Sequence, residues 1–283
     1  MEDRMNDRTT PKIGVLIVIY NRRCDASVSV MSMVKESIDA FVLADNSTDK
    51  EIVDFNRVFC RKNGVDYCSM DGNAGLPKAY NRAAKAIRQY VDYLMILDDD
   101  TLVPNNVTES LKSAILQHSS ADIFLPYTYD AKGLLSPNRR RDCLFFRLRQ
   151  RPDQFASKMS AINSGMVIRV DGKDSGEPLF DESQFLDCVD HLFILRELRK
   201  GSTFQMYSAV FKQTFFDSEE KSRDDMLPRA FARFSGFVKD YVIFCRLCSL
   251  NMLLARVYLV FRAGKLNVRY RTVRFFRALR TNI

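Results

Sequence analysis

The sequence predicts an α/β protein built on a doubly wound, mainly parallel sheet, with a Rossmann-like nucleotide-binding half and a helical basic extension at its C-terminus. Three observations predict it. Short runs rich in Val, Ile and Leu alternate with longer amphipathic segments through the first 126 residues, the pattern of βαβ units. The first run, residues 12–20 (KIGVLIVIY), is continuously apolar, so both of its faces are covered, as in a parallel sheet. Polar residues collect where runs end, at Tyr20 and Asn21, at Asp45 and Asn46, and at Asp98 to Asp100. Open α/β sheets bind their ligands at such strand ends.

The elements follow in order. After the first strand, 24–37 reads as a helix and 40–44 (AFVLA) as a second strand. Residues 51–63 have helical spacing through Ile52, Phe55, Val58 and Phe59, and 65–69 form a third strand. A helix over 77–90 opens on Pro77, a residue suited to the first turn. The fourth strand, 92–97 (DYLMIL), runs directly into Asp98-Asp99-Asp100; 105–118 is helical and 122–125 a fifth strand. The segment 127–160 gives no clear pattern, and Asn138 to Arg141 reads as a solvated basic loop. Residues 161–170 look like a strand bent at Ser164-Gly165, and 185–200 a helix opening with Asp187 and Asp190. The expected division is a flexible 1–11, a domain over 12–227 in two halves (12–126 and 127–227), and a basic amphipathic helical region over 228–283.

Composition narrows the chemistry. The polar residues 1–11 contain no apolar stretch of signal-peptide type, which points to the cytoplasm. Seven cysteines stand at irregular spacing, and Cys245 and Cys248 lie within an apolar run with no further Cys or His pair, so a reduced, partly buried pair fits better than zinc or a redox centre. With only His118 and His191, a site of several His ligands is excluded, and hard oxygen ligands become the relevant metal chemistry. Charge is uneven. From Arg229 onward 12 Lys and Arg face one acid, Asp240, whereas the rest of the chain holds 31 basic and 34 acidic residues. A slightly acidic body with a strongly basic tail suggests an anionic surface as partner. Lys239, Asp240, Arg246 and Arg256 interrupt the most apolar stretch, 237–261, so it falls short of the ~20 mostly apolar residues that a spanning helix needs. Beyond it, Leu266, Tyr270, Val273, Phe276 and Leu279 recur at helical spacing among arginines, the pattern of a basic helix lying on an anionic membrane; a helix packed on the domain with a solvated Arg face is the alternative.

Three consecutive carboxylates at the end of an apolar strand repel one another and call for a cation or several donors. Mg²⁺ or Mn²⁺ takes one or two carboxylates plus substrate phosphates. Strand alternation puts Asp98 and Asp100 on one side and Asp99 on the other. Asp100 is thereby assigned as metal ligand, Asp98 as metal or nucleotide contact, and Asp99 as support or a further phosphate-side contact. A helix N-cap cluster ahead of Pro104 is the structural alternative.

The triad does not stand alone. Val18-Ile19-Tyr20-Asn21, the run Val42 to Asp49 (VLADNSTD), Asn73 to Asn81 (NAGLPKAYN), Leu97-Asp98-Asp99-Asp100-Thr101, Asn163-Ser164-Gly165, Phe180-Asp181-Glu182 and Phe185 to Asp190 occur in order over residues 12–200. This set resembles the family 2 glycosyltransferases of the GT-A fold, within them the bacterial rhamnosyltransferase-like and galactofuranosyltransferase-like branch. The resemblance implies that Asp45 hydrogen-bonds a uracil or thymine ring, with Tyr20 and Asn21 framing base and ribose. It implies that Asn73 and Gly75 line the nucleotide pocket, with Asn81 supporting that loop, and that Asp98 and Asp100 form the DXD element. Ser164 and Gly165 match the turn near donor sugar and acceptor, and Asp190 matches the catalytic base. Asp187, three residues earlier and expected on the same helical face, is the competing base. Many relatives carry a later His in the metal shell; this chain has no His after Lys200, and Gln213 stands near the expected place.

The implied reaction is an inverting transfer from a UDP- or dTDP-sugar to a hydroxyl of a glycan or undecaprenyl-diphosphate-linked acceptor in bacterial surface polysaccharide synthesis (O-antigen or capsule), by a cytoplasmic enzyme held peripherally at the inner face of the membrane. Nucleic acid is not an expected partner, and a homodimer is left open. Two rival readings are weighed. A sugar nucleotidyltransferase usually carries a Gly-rich basic loop after its first strand, where this chain has Tyr20-Asn21-Arg22-Arg23. A basic nucleic-acid- or membrane-binding protein without catalysis would explain the tail but not the acids, which repel phosphate unless a metal intervenes.

Overall fold

The computed structural model describes residues 10–171, 177–213 and 223–280. Nearly all of the expected flexible 1–11 lies outside them, and Pro11 is buried. In chain order the elements are β1 (Ile13–Ile19), α1 (Val28–Met33), β2 (Ala40–Asp45), α2 (Lys50–Lys62), β3 (Asp66–Ser69), α3 (Leu76–Ile87), β4 (Tyr93–Asp98), β5 (Thr101–Leu102), α4 (Val107–Gln117) and β6 (Ile123–Asp130). They continue with β7 (Gly133–Ser136), β8 (Asn138–Arg141), β9 (Leu144–Arg147), β10 (Met159–Ser160), β11 (Met166–Arg169), α5 (Val189–Lys200), β12 (Phe204–Gln213), α6 (Arg223–Leu247), α7 (Met252–Tyr270) and α8 (Phe275–Arg280). Among the described residues the main sheet has nine strands in the order β3-β2-β1-β4-β11-β6-β12-β5, with β7 beside β6.

Strands β3, β2, β1 and β4 are parallel, as expected from the continuous apolar runs. Side chains of β1 and β4 divide between the faces: Ile13, Val15, Ile17, Tyr93, Met95 and Leu97 join one core, Leu16, Leu94 and Ile96 the other. In β1 all but Val18 are buried. The expected strand over 161–170 becomes β11, which runs antiparallel between β4 and β6. The second half of the sheet is therefore mixed.

Several boundaries differ from expectation. The helix expected over 24–37 is a 3-10 turn (Cys24–Ala26) followed by the short α1, because the Ser27 hydroxyl accepts from the Val30 N–H and starts a new helix. Asn138 to Arg141 is not a solvated loop but β8, the middle strand of a small β10-β8-β9 sheet. The helix expected to open at Phe185 begins at Val189. The division at 126/127 falls inside β6, and that at 227/228 inside α6, which carries Pro228 in its opening turns. The C-terminal helices share an apolar cluster with Cys143 and with Leu192 and Leu195 of α5, so they are packed against the domain. Cys245 and Cys248 are buried, free thiols of that cluster. The stretch expected to carry Leu266, Tyr270, Val273, Phe276 and Leu279 on one helix breaks at Arg271, in left-handed conformation (φ 48°). No helix among the described residues is long and apolar enough to cross a membrane.

Candidate active site

The C-terminal ends of β1 and β4, the loop before α3 and the start of α5 surround a cleft of about 780 Å³, which extends to α6 and α7. Tyr20, Arg22, Asn46, Asn73 and Gly75 line its nucleotide end. Asp98, Asp99, Asp100 and Gln213 form the floor, and Asp190 and His191 the opposite wall.

The three acids are held from behind. Ser29 of α1 donates its hydroxyl to the Asp98 (2.5 Å) and Thr101 (2.9 Å) carbonyls, and Ser27 donates to that of Asp99 (2.7 Å). The expected alternation is present: Asp98 and Asp100 share one donor, the Gln213 side-chain N–H (3.3 and 3.2 Å), while Asp99 faces Arg22 at 3.3 Å. Thr101 donates to Ser164, which donates to Asp98. Burial pushes the Asp98 and Asp99 carboxyls up to about 6, against the hydrogen bonds from Ser164 and Gln213 in the first case and the Arg22 charge in the second. Burial raises Asp100 also. These acids carry more negative charge than their surroundings compensate.

Hard oxygens on one side of the floor fit a divalent ion. Asp98 and Asp100 converge on one Gln213 N–H, and the Oε1 of Gln213 is buried without a partner. Turning that amide over presents Oε1 to the place between the two carboxylates, a choice of orientation made by the hydrogen-bond network. Among the described residues no group of three His, Cys, Asp or Glu is arranged to hold a metal. An ion bound here would draw the rest of its shell from phosphate and water, as Mg²⁺ commonly does.

Several expected nucleotide contacts turn out to be braces. Asp45 is 1% exposed and does not line the cleft. Its carboxylate accepts from the Ser47 N–H (2.9 Å), the Asn56 amide (3.0 Å) and the Tyr67 hydroxyl (3.0 Å), so it shapes the loop after β2 from behind. The cleft wall at that point is its neighbour Asn46, whose amide bridges Gly75 O and Ala74 N at 3.3 Å each. Asn21 (φ 45°) likewise uses its Oδ1 to accept from the Thr48 and Asp49 N–H groups. Asn81 does not hold the 73–75 loop; it clamps Phe180 through both backbone groups and reaches Glu182. Gly165 (φ 83°) lies outside the cleft lining, and any Cβ there would stand 2.8 Å from Phe211 and Pro126. Gly75 and Asn73 do line the cleft as expected, Gly75 with φ 92° and its backbone against Phe185. Tyr20 is half exposed at the rim.

The two candidate bases are separated by their surroundings. Asp190 sits in the first turn of α5, and its Oδ1 accepts from the neighbouring His191 N–H (2.7 Å). Asp187 precedes the helix, so it is not on the helical face of Asp190, and its carboxylate is engaged by both guanidinium nitrogens of Arg233. His191 donates to or accepts from Ser160 (2.7 Å) and stacks on Phe145 at 3.7 Å; burial lowers its pKa.

Four features escaped the sequence. Asp240 of α6, 2% exposed, accepts the N–H groups of Phe185 (3.0 Å), Leu186 (2.7 Å) and Asp187 (2.8 Å), and so fixes the loop that leads into α5. A lone acid in the most apolar stretch was the available signal. Arg22 pairs Asp99, and Asn163, 4% exposed, lines the cleft while its Oδ1 is buried without a partner. Phe145, Phe237, Tyr241, Tyr258 and Arg262 build the far end, with the Arg262 guanidinium 3.8 Å over the Phe237 ring. Long-range packing alone brings those together.

A half-parallel sheet with acids gathered at its strand ends beside a cleft is an architecture of GT-A type. Residues 14–172, more than half of the chain, match Glycosyl transferase family 2, and the chain belongs to that family. Among solved structures it is similar to GalNAc-T7 with UDP, GalNAc and Mn²⁺ (TM-score 0.60, 15% identity, 85% of this chain and 48% of that one). It is also similar to TarS 1–349 of S. aureus (TM-score 0.50, 13% identity, 96% of this chain and 92% of that one). The chain thus spans about half the length of GalNAc-T7. At these identities the likeness concerns the fold. No curated protein sequence matches the chain.

Proposed function

We propose that this glycosyltransferase moves a hexosyl-type residue from a UDP- or dTDP-sugar, with inversion, to a hydroxyl of a glycan or lipid-linked glycan acceptor in surface-polysaccharide synthesis at the cytoplasmic face of a membrane. One observation carries the reading: Asp98 and Asp100 on the floor and Asp190 on the opposite wall line the same cleft. Donors of this kind fit the UDP and Mn²⁺ bound to GalNAc-T7. The rhamnosyl- or galactofuranosyl-transfer branch remains the preferred donor class, on the motif order described above.

In this reading the nucleoside end lies along Tyr20, Asn46, Asn73 and Gly75, and Asp98 and Asp100, with Gln213, would hold Mn²⁺ or Mg²⁺. The ion, when bound, neutralises charge on the departing nucleoside diphosphate. Arg22 holds Asp99 out of that shell. Asp190 accepts the proton of the acceptor hydroxyl as it attacks the anomeric carbon from the face opposite the leaving group, in a single displacement that inverts the centre. Phe145, Phe237 and Tyr258 give the acceptor sugar apolar faces to stack on.

The test is nucleoside-diphosphate release from a panel of UDP- and dTDP-sugars with Mn²⁺, with and without membrane extract as acceptor. Release from at least one donor that depends on Asp98 and Asp190 is expected. No release from any donor, with UDP and dTDP failing to bind, removes the reading.

A further inference from the structure

Helix α7 is apolar on two opposite sides. Ala255, Leu259, Ala263 and Asn267, spaced four apart, are its buried face, packed on α6 and α8. On the other side Leu253, Val257, Val260, Phe261 and Val268 follow the i, i+4, i+7, i+8, i+15 spacing of one helical stripe. They are exposed by 72, 60, 50, 61 and 80%, and only Gly264 fills the gap in the row. A contiguous exposed stripe of this size, as opposed to scattered single residues, marks an interaction surface. Its flanks are basic: Arg256 on one edge, Lys265 and Arg269 on the other. After Asp240 the sequence contains nine Arg and Lys and no Asp or Glu. A protein partner with an apolar groove would match the stripe but gives no reason for the absence of every acid; an anionic lipid surface matches both. Arg256, Arg262, Lys265 and Arg269 within the 19 residues of α7 keep it from being a continuously apolar span and suit a helix lying in an interface.

The placement of the stripe adds to this. Tyr258 and Arg262, on the side of α7 between its exposed and buried faces, line the acceptor end of the cleft. A bilayer under the stripe would therefore lie about one helix diameter, ~10 Å, from the cleft mouth. We propose that α7 lies along an anionic bilayer on its Leu253–Val257–Val260–Phe261–Val268 face, and that this holds the acceptor end of the cleft at headgroup level, where a lipid-linked acceptor presents its sugar. The docking stands on α7 alone; the consequence for the acceptor rests on the function proposed above.

The experiment is flotation of the full chain with vesicles of phosphatidylcholine containing 30% phosphatidylglycerol, against phosphatidylcholine alone, at low salt. The chain floats with the anionic vesicles, and the V257E/F261E double variant floats about tenfold less or weaker still, the loss expected for keeping a Phe and a Val in water. V268E, at the most exposed position, shows the same direction to a smaller degree. Both variants keep the native melting temperature and the native affinity for UDP, so a failure of docking is separable from a failure of donor binding. Three results overturn the proposal: no flotation of the native chain with anionic vesicles, flotation of V257E/F261E equal to native, or a native dimer in sedimentation velocity that V257E/F261E converts to monomer in the absence of lipid.

Discussion

Replacing Asp98 by Asn should stabilise the metal-free protein at neutral pH while abolishing transfer. The Asp98 carboxyl rises from 3.8 to about 6 on folding, chiefly through burial. Two units at 1.36 kcal/mol each amount to about 3 kcal/mol by which the ionised side chain favours the unfolded chain. The sign follows from linkage: a carboxyl raised in the folded state costs nothing below pH 3.8, and the full cost is present once the pH has passed about 6. At pH 4.5 the same linkage leaves about 1 kcal/mol, at pH 7.5 about 3 kcal/mol. Asparagine keeps an oxygen for the Ser164 hydroxyl and the Gln213 amide, so the substitution removes charge with little loss of hydrogen bonding. Thermal unfolding followed by circular dichroism in EDTA should place Asp98→Asn above the native protein by roughly 6 °C at pH 7.5, at ~2 °C per kcal/mol for a chain of this size, and by roughly 2 °C at pH 4.5. Mn²⁺ should raise the native melting temperature and leave the variant nearly unmoved. A variant that melts at or below the native protein at pH 7.5, or whose offset is equal at both pH values, refutes the electrostatic account of the floor.

Three further outcomes are expected. Asp190→Asn should lower transfer by about 10²- to 10⁴-fold, the usual worth of a general base, with UDP affinity measured by calorimetry unchanged; Asp187→Asn should cost far less activity, since Arg233 already occupies that carboxylate. Asp240→Ala leaves the Phe185, Leu186 and Asp187 N–H groups without their acceptor, a loss of about 3 kcal/mol or more read in urea unfolding, with activity falling in the fraction that remains folded. Gly75→Ala puts a Cβ 2.9 Å from the Phe185 ring and 3.0 Å from its carbonyl at φ 92°, for a strain of about 1–3 kcal/mol and a weakened UDP affinity.

The parallel half of the fold was legible because its information is local. Residues 12–20 and 92–97 are apolar on both faces, and the polar residues that end them mark the cleft rim. The separation of Asp98 and Asp100 from Asp99 was legible for the same reason, since strand alternation alone predicts it. Other parts depend on contacts that spacing does not encode. Whether Asp45 faces ligand or interior is decided by Asn56 and Tyr67, 11 and 22 residues away, which both reach its carboxylate. Asp187 and Asp190 look equivalent at a three-residue spacing; only the left-handed Cys188 between them (φ 61°) and Arg233 from α6 set them apart. The segment 127–160 resisted reading because its strands are short: β8 and β9 have four residues each, fewer than two full alternations of face.

The contacts around Phe185 change how the C-terminal region is to be understood. Its carbonyl accepts the Leu76 N–H at 2.7 Å, its ring closes against Gly75, and its own N–H donates to Asp240. One residue thus joins the loop at the start of α3, the loop that leads to Asp190, and the buried carboxylate of α6. Any displacement of α6 is transmitted to both substrate ends of the cleft through hydrogen bonds under about 3 Å, with no flexible linker between. Since α6 and α7 share one apolar cluster with α5, the helix that carries the exposed stripe is mechanically continuous with the helix that carries the base. The basic C-terminal region is therefore part of the catalytic architecture, and a truncation before α6 should remove activity through the loss of loop 185–187 even where the parallel sheet still folds and binds UDP.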